Sequence, residues 1–300
     1  MILDTLFIIF IFLFGAAIGS FLNVVILRLH SGRTLGGRSQ CPHCHHTLAT
    51  LDLIPILSYL LLSGKCRYCG HKLSIQYPLV ELTAAILFTI AFLSWGQAAF
   101  GCQTLIPQCL TPVNLSSLIF NLFLVSVLIV ISVYDLKWGL VPDKIILPAS
   151  VIAFGYQLLT FVIASVTKQS NLSSRGLLDE RSQGFLSSFE MTLLPNLFTA
   201  FGIGLFFFLI ILFTKGKGMG GGDFKLSIFI GLALGWPLAL VAVFLGFLTG
   251  ALGAVMLILL GKKSFKQTVP FGPFLALGSL LAILVGNQIL ELYLKSMGLK

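Results

Sequence analysis

The chain has 300 residues, of which 57% are hydrophobic and only 10% charged, with a mean hydropathy of +1.02. Soluble domains carry about a quarter of their residues as charges, so this composition excludes one and predicts an all-α polytopic membrane protein embedded in a lipid bilayer. The net charge of +9 is then mostly a matter of topology and gives no reason to expect nucleic acid as a partner.

A helix needs about 20 apolar residues to cross a bilayer. Such stretches lie at roughly 5–27, 78–98, 115–134, 145–166, 192–213, 224–236, 238–260 and 271–290, predicting about eight transmembrane helices. The sixth is the shortest, ended by Gly235, Trp236 and Pro237. The first lacks a basic leader and exceeds the ~7–15 residues of a signal-peptide core, so it is expected to stay in the mature chain. Segments 28–77, 135–144, 214–225 and 261–270 hold 14 of the 19 Lys and Arg. Short cytoplasmic loops retain positive charge, so these segments are expected inside and both termini outside.

This divides the chain into a first transmembrane helix at 1–27, a small cytoplasmic domain at 28–77 and a transmembrane bundle at 78–300. All five histidines and four of the six cysteines lie in the cytoplasmic domain. No internal repeat stands out along the sequence.

Cys41, Cys44, Cys66 and Cys69 form two Cys-x-x-Cys pairs at a spacing suited to four thiolates closing on one zinc. A structural disulfide is disfavoured in a reducing cytosol, and a domain this small gains most from a metal staple. The alternatives are a redox pair, or a three-cysteine site completed by His43, His45 or His46. Four thiolates leave no open coordination position, which argues against a catalytic zinc. Cys102 and Cys109 lie in an outer loop, where an oxidising compartment favours a local disulfide over two unpaired thiols.

Of the ten acidic residues, Glu81, Asp135, Asp143 and Asp223 fall at cytoplasmic ends of predicted spans. Ionisable groups near a membrane are costly and hence functional candidates, although any one of these carboxylates could simply mark a span end. Two have local context that lifts them above this. Asp135 precedes a tight return into the membrane, in VYDLKWGLVPD. Asp223 follows Gly220, Gly221 and Gly222, glycines that permit close approach of another backbone. Two carboxylates sharing one proton can hydrolyse a peptide. Asp223 opens a helix and Asp135 ends one, so the helix dipoles favour Asp223 as the resting base and Asp135 as the acid.

GGGD fits the Gly-x-Gly-Asp motif of intramembrane aspartyl proteases. With D-x5-VPD at 135–143, GDFKL at 222–226, VPFGPFLALG at 269–278, GSFLNVVILRL at 19–29, YPLVEL at 77–82 and the paired Cys-x-x-Cys, the chain resembles the bacterial type IV prepilin peptidases over nearly its whole length. The resemblance implies a bifunctional enzyme of the bacterial inner membrane with its active site facing the cytoplasm. Such an enzyme cuts the leader from prepilins and type II secretion pseudopilins, then methylates the new N-terminal amine with S-adenosylmethionine. It also implies Asp135 and Asp223 as the catalytic pair. No dinucleotide-type glycine motif marks a cofactor site, which leaves Glu81 and Asp52 as candidates to contact the methyl donor. Lys225 is read either as a group that orients a substrate carbonyl or as a positive-inside charge, and the role of Asp143 is open. The rival class is an ion-coupled transporter, whose carboxylates usually lie near the bilayer midplane.

Overall fold

A computed structural model describes residues 2–100, 112–173, 193–216, 219–261 and 270–298. Cys102 and Cys109, and with them the expected disulfide, lie outside the described residues. Within those residues the secondary structure is helical apart from two isolated β-bridges. Packing divides the chain into two units, Met1–Val133 and Tyr134–Lys300.

The first unit contains α1 (Ile2–His30), α2 (Leu57–Leu61), α3 (Gln76–Phe100) and most of α4 (Pro112–Trp138). Helices α1 and α3 pack through small residues. A methyl at Gly15 would lie 2.9 Å from Ala85 Cα, and one at Gly19 would lie 2.7 Å from Glu81 Cα. Close backbone approach of this kind is how helices associate in lipid, where burying apolar surface supplies no drive. Asn23, which is buried, donates from Nδ2 to the Tyr77 carbonyl at 3.1 Å and so ties the C-terminal part of α1 to the start of α3.

The second unit contains the last turn of α4, then α5 (Asp143–Ser173), α6 (Leu194–Thr214), α7 (Gly221–Leu234), α8 (Leu238–Leu259) and α9 (Gly272–Ser296). Helix α7 packs on α5, α6, α8 and α9. It buries Asp223, Leu226, Ser227, Ile230 and Gly231 along one face, and Gly231 meets the Ala200 backbone of α6. Its far end is held by side-chain amides: Gln157 of α5 donates to the Leu232 carbonyl at 3.0 Å, Asn196 of α6 donates to Gln157 at 2.8 Å, and Asn196 accepts from the Trp236 amide at 3.0 Å. The glycines of GFLTGALG face α9. Gly246 meets Leu275, and Gly250 and Gly253 meet Phe271 and Phe274, so this strip serves packing between the protein's own helices.

Seven described helices are long and apolar enough to cross a membrane. Helix α7, the expected sixth span, has only 14 residues, about 21 Å at 1.5 Å per residue against a hydrocarbon core of about 30 Å. Large apolar side chains stay exposed on the flanking helices, Phe213 at 82% and Leu259 at 81%. A surface of this kind suits lipid rather than water.

Candidate active site and metal centre

In the second unit, the chain leaves α4 one turn after Asp135 and turns at Gly139, whose φ of +65° suits glycine and whose amide donates to the Asp135 carbonyl at 2.8 Å. It then passes Val141 and Pro142 and starts α5 at Asp143. Val141 rests on the glycine strip: a methyl at Gly222 would lie 2.9 Å from both Cβ and Cγ2 of Val141. Gly220 is the N-cap of α7, which sets Asp223 in the first helical turn.

Both aspartates are buried, Asp135 at 5% and Asp223 at 8% exposure. They interact electrostatically. Burial, reinforced by the neighbouring Asp135 charge, raises the Asp223 carboxyl to about 6 against the opposing pull of the Gly220 amide. The helix N-terminus alone would have kept Asp223 ionised, so burial and the like charge outweigh it here. Asp135 Oδ2 is buried and, among the described residues, has no donor at full hydrogen-bond geometry, an arrangement that folded proteins rarely leave without use. The Gly272 backbone lies against it, and a methyl there would lie 2.5 Å from Oδ2. Phe271, the preceding residue, fixes that approach by packing its ring 4.9 Å from Phe247 and 6.1 Å from Phe207.

Lys225 has a partner: its Nζ donates to Asp143 Oδ1 at 2.6 Å. This pair ties the start of α5 to α7 next to the aspartates and is half exposed. Asp135 and Asp223 lie in terminal turns of their helices, not at mid-helix where a transporter would hold its carboxylates. Gly272 went unrecognised in the sequence, where VPFGPF was seen only as a motif without a role.

In the first unit, Cys41, Cys44, Cys66 and Cys69 converge, with all four Sγ atoms within 4.8 Å of one another and Cys41 Sγ 3.9 Å from Cys69 Sγ. Tetrahedral zinc with bonds of about 2.3 Å requires sulfurs about 3.8 Å apart, so the donor set and its spacing fit zinc. The two pairs fold as matching turns. Cys41 N donates to the His46 carbonyl at 3.0 Å and Cys66 N to the His71 carbonyl at 2.9 Å, with His45 and Gly70 at positive φ in equivalent places. Their rings cross over. His43 of the first turn stacks on His71 of the second at 4.3 Å, and Tyr68 of the second lies against His46 of the first at 3.8 Å. A local two-fold repeat therefore exists where none was read. Residue types recur as well: CPHCHHTL at 41–48 and CRYCGHKL at 66–73 share Cys, Cys, His and Leu at matching places.

Burial pushes the Cys41 thiol up, but the Cys44 and His43 backbone amides together with hydrogen bonds from the Cys66 and Cys44 side chains lower it to about 7. At Cys69 the His71 amide pulls downward, but burial and hydrogen bonding among the cysteines push it up to about 12. Asp52 clamps the second turn: Arg67 Nε lies 2.8 Å from Oδ1, and the Tyr68 hydroxyl and Ala49 amide each donate to Oδ2 at 3.1 Å. Its Oδ2 is used inside the domain, while the buried Oδ1 has the Arg67 ion pair but no hydrogen bond among the described residues. Glu81 is 7% exposed, and its Oε2 accepts from the Ile56 amide at 2.7 Å.

A multi-pass helical membrane protein with a paired-carboxylate centre in one unit and a four-cysteine centre in the other defines the class. Residues 13–95 match the bacterial peptidase A24 N-terminal domain and residues 182–255 the type IV leader peptidase family. The chain is 33% identical to a prepilin leader peptidase/N-methyltransferase of Bacillus subtilis, covering 95% of this chain and 97% of that one. It is 32% identical to the protein of that name from Aeromonas hydrophila, over 95% and 92% of the two chains. For the one from Pseudomonas aeruginosa the identity is 30%, over 96% and 93%. No solved structure matches. The chain belongs to the type IV leader peptidase family.

Proposed function

We propose that this protein cleaves the leader peptide from type IV prepilins and type II secretion pseudopilins at the cytoplasmic face of the bacterial inner membrane, and then N-methylates the new N-terminal residue. The observation that carries the reading is the pairing of Asp135 and Asp223, two buried and electrostatically coupled carboxylates at helix ends, one with a buried oxygen that has no well-aligned donor among the described residues. One carboxyl holds the shared proton and polarises the scissile carbonyl, while the other, ionised, takes a proton from the attacking water. Their pKa values belong to the pair. The glycines before Asp223 leave room for an extended substrate backbone.

The four cysteines hold a structural zinc that organises residues 28–77 as a cytoplasmic domain, between the helix at 1–27 and the peptidase bundle at 78–300. S-adenosylmethionine, when bound, supplies a methyl group activated by a sulfonium.

The test is to incubate the purified enzyme with a synthetic prepilin-like peptide and methyl donor and follow the mass of the product. Loss of the leader followed by gain of one methyl supports the reading. A peptide left intact under proton-coupled uptake conditions would favour the transporter class.

A further inference from the structure

The first unit holds a cavity of about 410 Å³ that the peptidase chemistry does not use. Its volume lies within the range of roughly 300–1,000 Å³ that accommodates small-molecule cofactors. Its floor is formed by the cytoplasmic ends of α1 and α3, with Ser20, Asn23, Tyr77 and Glu81. Its roof is the cysteine domain, with Arg33 and Arg38 at the wall.

Two features mark it as a built site. The first is Glu81, a carboxylate more than nine-tenths buried on the floor, held in place because Gly19 lets α1 press against its backbone. A buried carboxylate is ionised at little cost only beside a counter-charge and otherwise keeps its proton, and no cation lies within ion-pair distance of it among the described residues. The second is Ile56, whose amide Glu81 accepts. Ile56 has φ of +62° and ψ of −51°, a conformation that a β-branched residue adopts only under constraint. Strain of about 1–3 kcal/mol at such positions is typical of ligand clamps. Arg28 completes the frame by donating to the carbonyls of Leu35, Gly37 and Arg38 at 2.6, 3.0 and 3.2 Å, which shapes the loop above the cavity.

We propose that this cavity is the methyl-donor site, with Glu81 as the counter-charge to the sulfonium of S-adenosylmethionine and Arg33 and Arg38 placed to take its carboxylate. The assignment rests on the methyl-transfer reading above and adds its location. It supplies the cation that Glu81 lacks and puts opposite charges on the floor and wall, as a zwitterionic amino acid joined to a sulfonium requires. Asp52, the other sequence candidate, also lines the cavity, but its carboxylate already has a counter-charge in Arg67 and donors in Tyr68 and Ala49.

The test is calorimetric titration of the full-length enzyme in detergent with S-adenosylmethionine and, as a probe that lacks the sulfonium charge, S-adenosylhomocysteine. Leader cleavage and zinc content are measured on each preparation as controls for folding. Glu81→Gln should weaken S-adenosylmethionine binding at least tenfold and S-adenosylhomocysteine binding much less, with cleavage retained. Ser58→Trp, which adds bulk at a residue lining the cavity and leaves the Glu81 carboxylate in place, should abolish binding of both. If the wild type binds both molecules and neither substitution alters binding, the site lies elsewhere and the methyl-transfer reading survives. If the wild type binds neither and transfers no methyl, both that reading and the site fall.

Discussion

Val141 and Gly222 touch so closely that a single methyl on the glycine would sit 2.9 Å from the valine Cβ. This contact joins the turn after Asp135 to the strip before Asp223 and fixes how near the two carboxylates come. Gly222→Ala should therefore separate them and lower leader cleavage by about a hundredfold, the order expected when reacting groups shift by an ångström. Pairing it with Val141→Ala should recover a large part of the loss. Initial rates on one peptide substrate, with protein yield as the folding control, check this.

Gly272 plays the corresponding part for Asp135. Gly272→Ala would push its methyl to within 2.5 Å of Oδ2, so cleavage should fall by at least tenfold while methylation of a pre-cut peptide persists. Equal loss of both activities would point to general misfolding.

The Lys225–Asp143 pair is 43% and 54% exposed at its side chains, and exposed pairs contribute roughly 0–1 kcal/mol. Asp143→Asn and Lys225→Met should each reduce cleavage by less than tenfold. Their double-mutant coupling should stay below about 1 kcal/mol and shrink further in high salt. Loss on the scale of an Asp135 substitution would instead assign one of them to the chemistry.

Zinc binding must displace protons from the cysteines, because only thiolates ligate the metal. Cys41 sits at about 7 and Cys69 is pushed up to about 12, so lowering the pH through 7 adds competition at Cys41 to that already present at Cys69. Zinc affinity should fall by about tenfold or more per pH unit below 7. Release to a chromophoric chelator at a series of pH values measures it. Affinity that stays flat across this range would rule out ligation by four thiolates.

Asn196 holds the far end of α7 through Gln157 and Trp236. Asn196→Ala should lower stability in detergent by about 1 kcal/mol, in keeping with interhelical hydrogen bonds in membranes averaging about 0.6 and reaching about 1.7. Thermal inactivation of cleavage reads this directly.

Much of the site was legible because its chemistry is written in rare residue types. Cysteines at zinc spacing and carboxylates in an apolar chain stand out from their surroundings, and the structure brings Cys41, Cys44, Cys66 and Cys69 together as the spacing implied. What escaped was carried by shape. Gly272 matters through the space beside Asp135, and Ile56 through a backbone angle. Helix α7 is the short sixth stretch of the sequence, and the Gly235, Trp236 and Pro237 that mark its end there close the helix after 14 residues.

The central claim is that Asp135 and Asp223 act as one catalytic pair. The most direct measurement is leader release by purified Asp135→Asn and Asp223→Asn, with methyl transfer to a pre-cut peptide followed in the same preparations. The account predicts that each substitution abolishes cleavage by several orders of magnitude, that the double variant is no worse than either single one, and that methylation continues. Cleavage at near wild-type rates by either variant would contradict it.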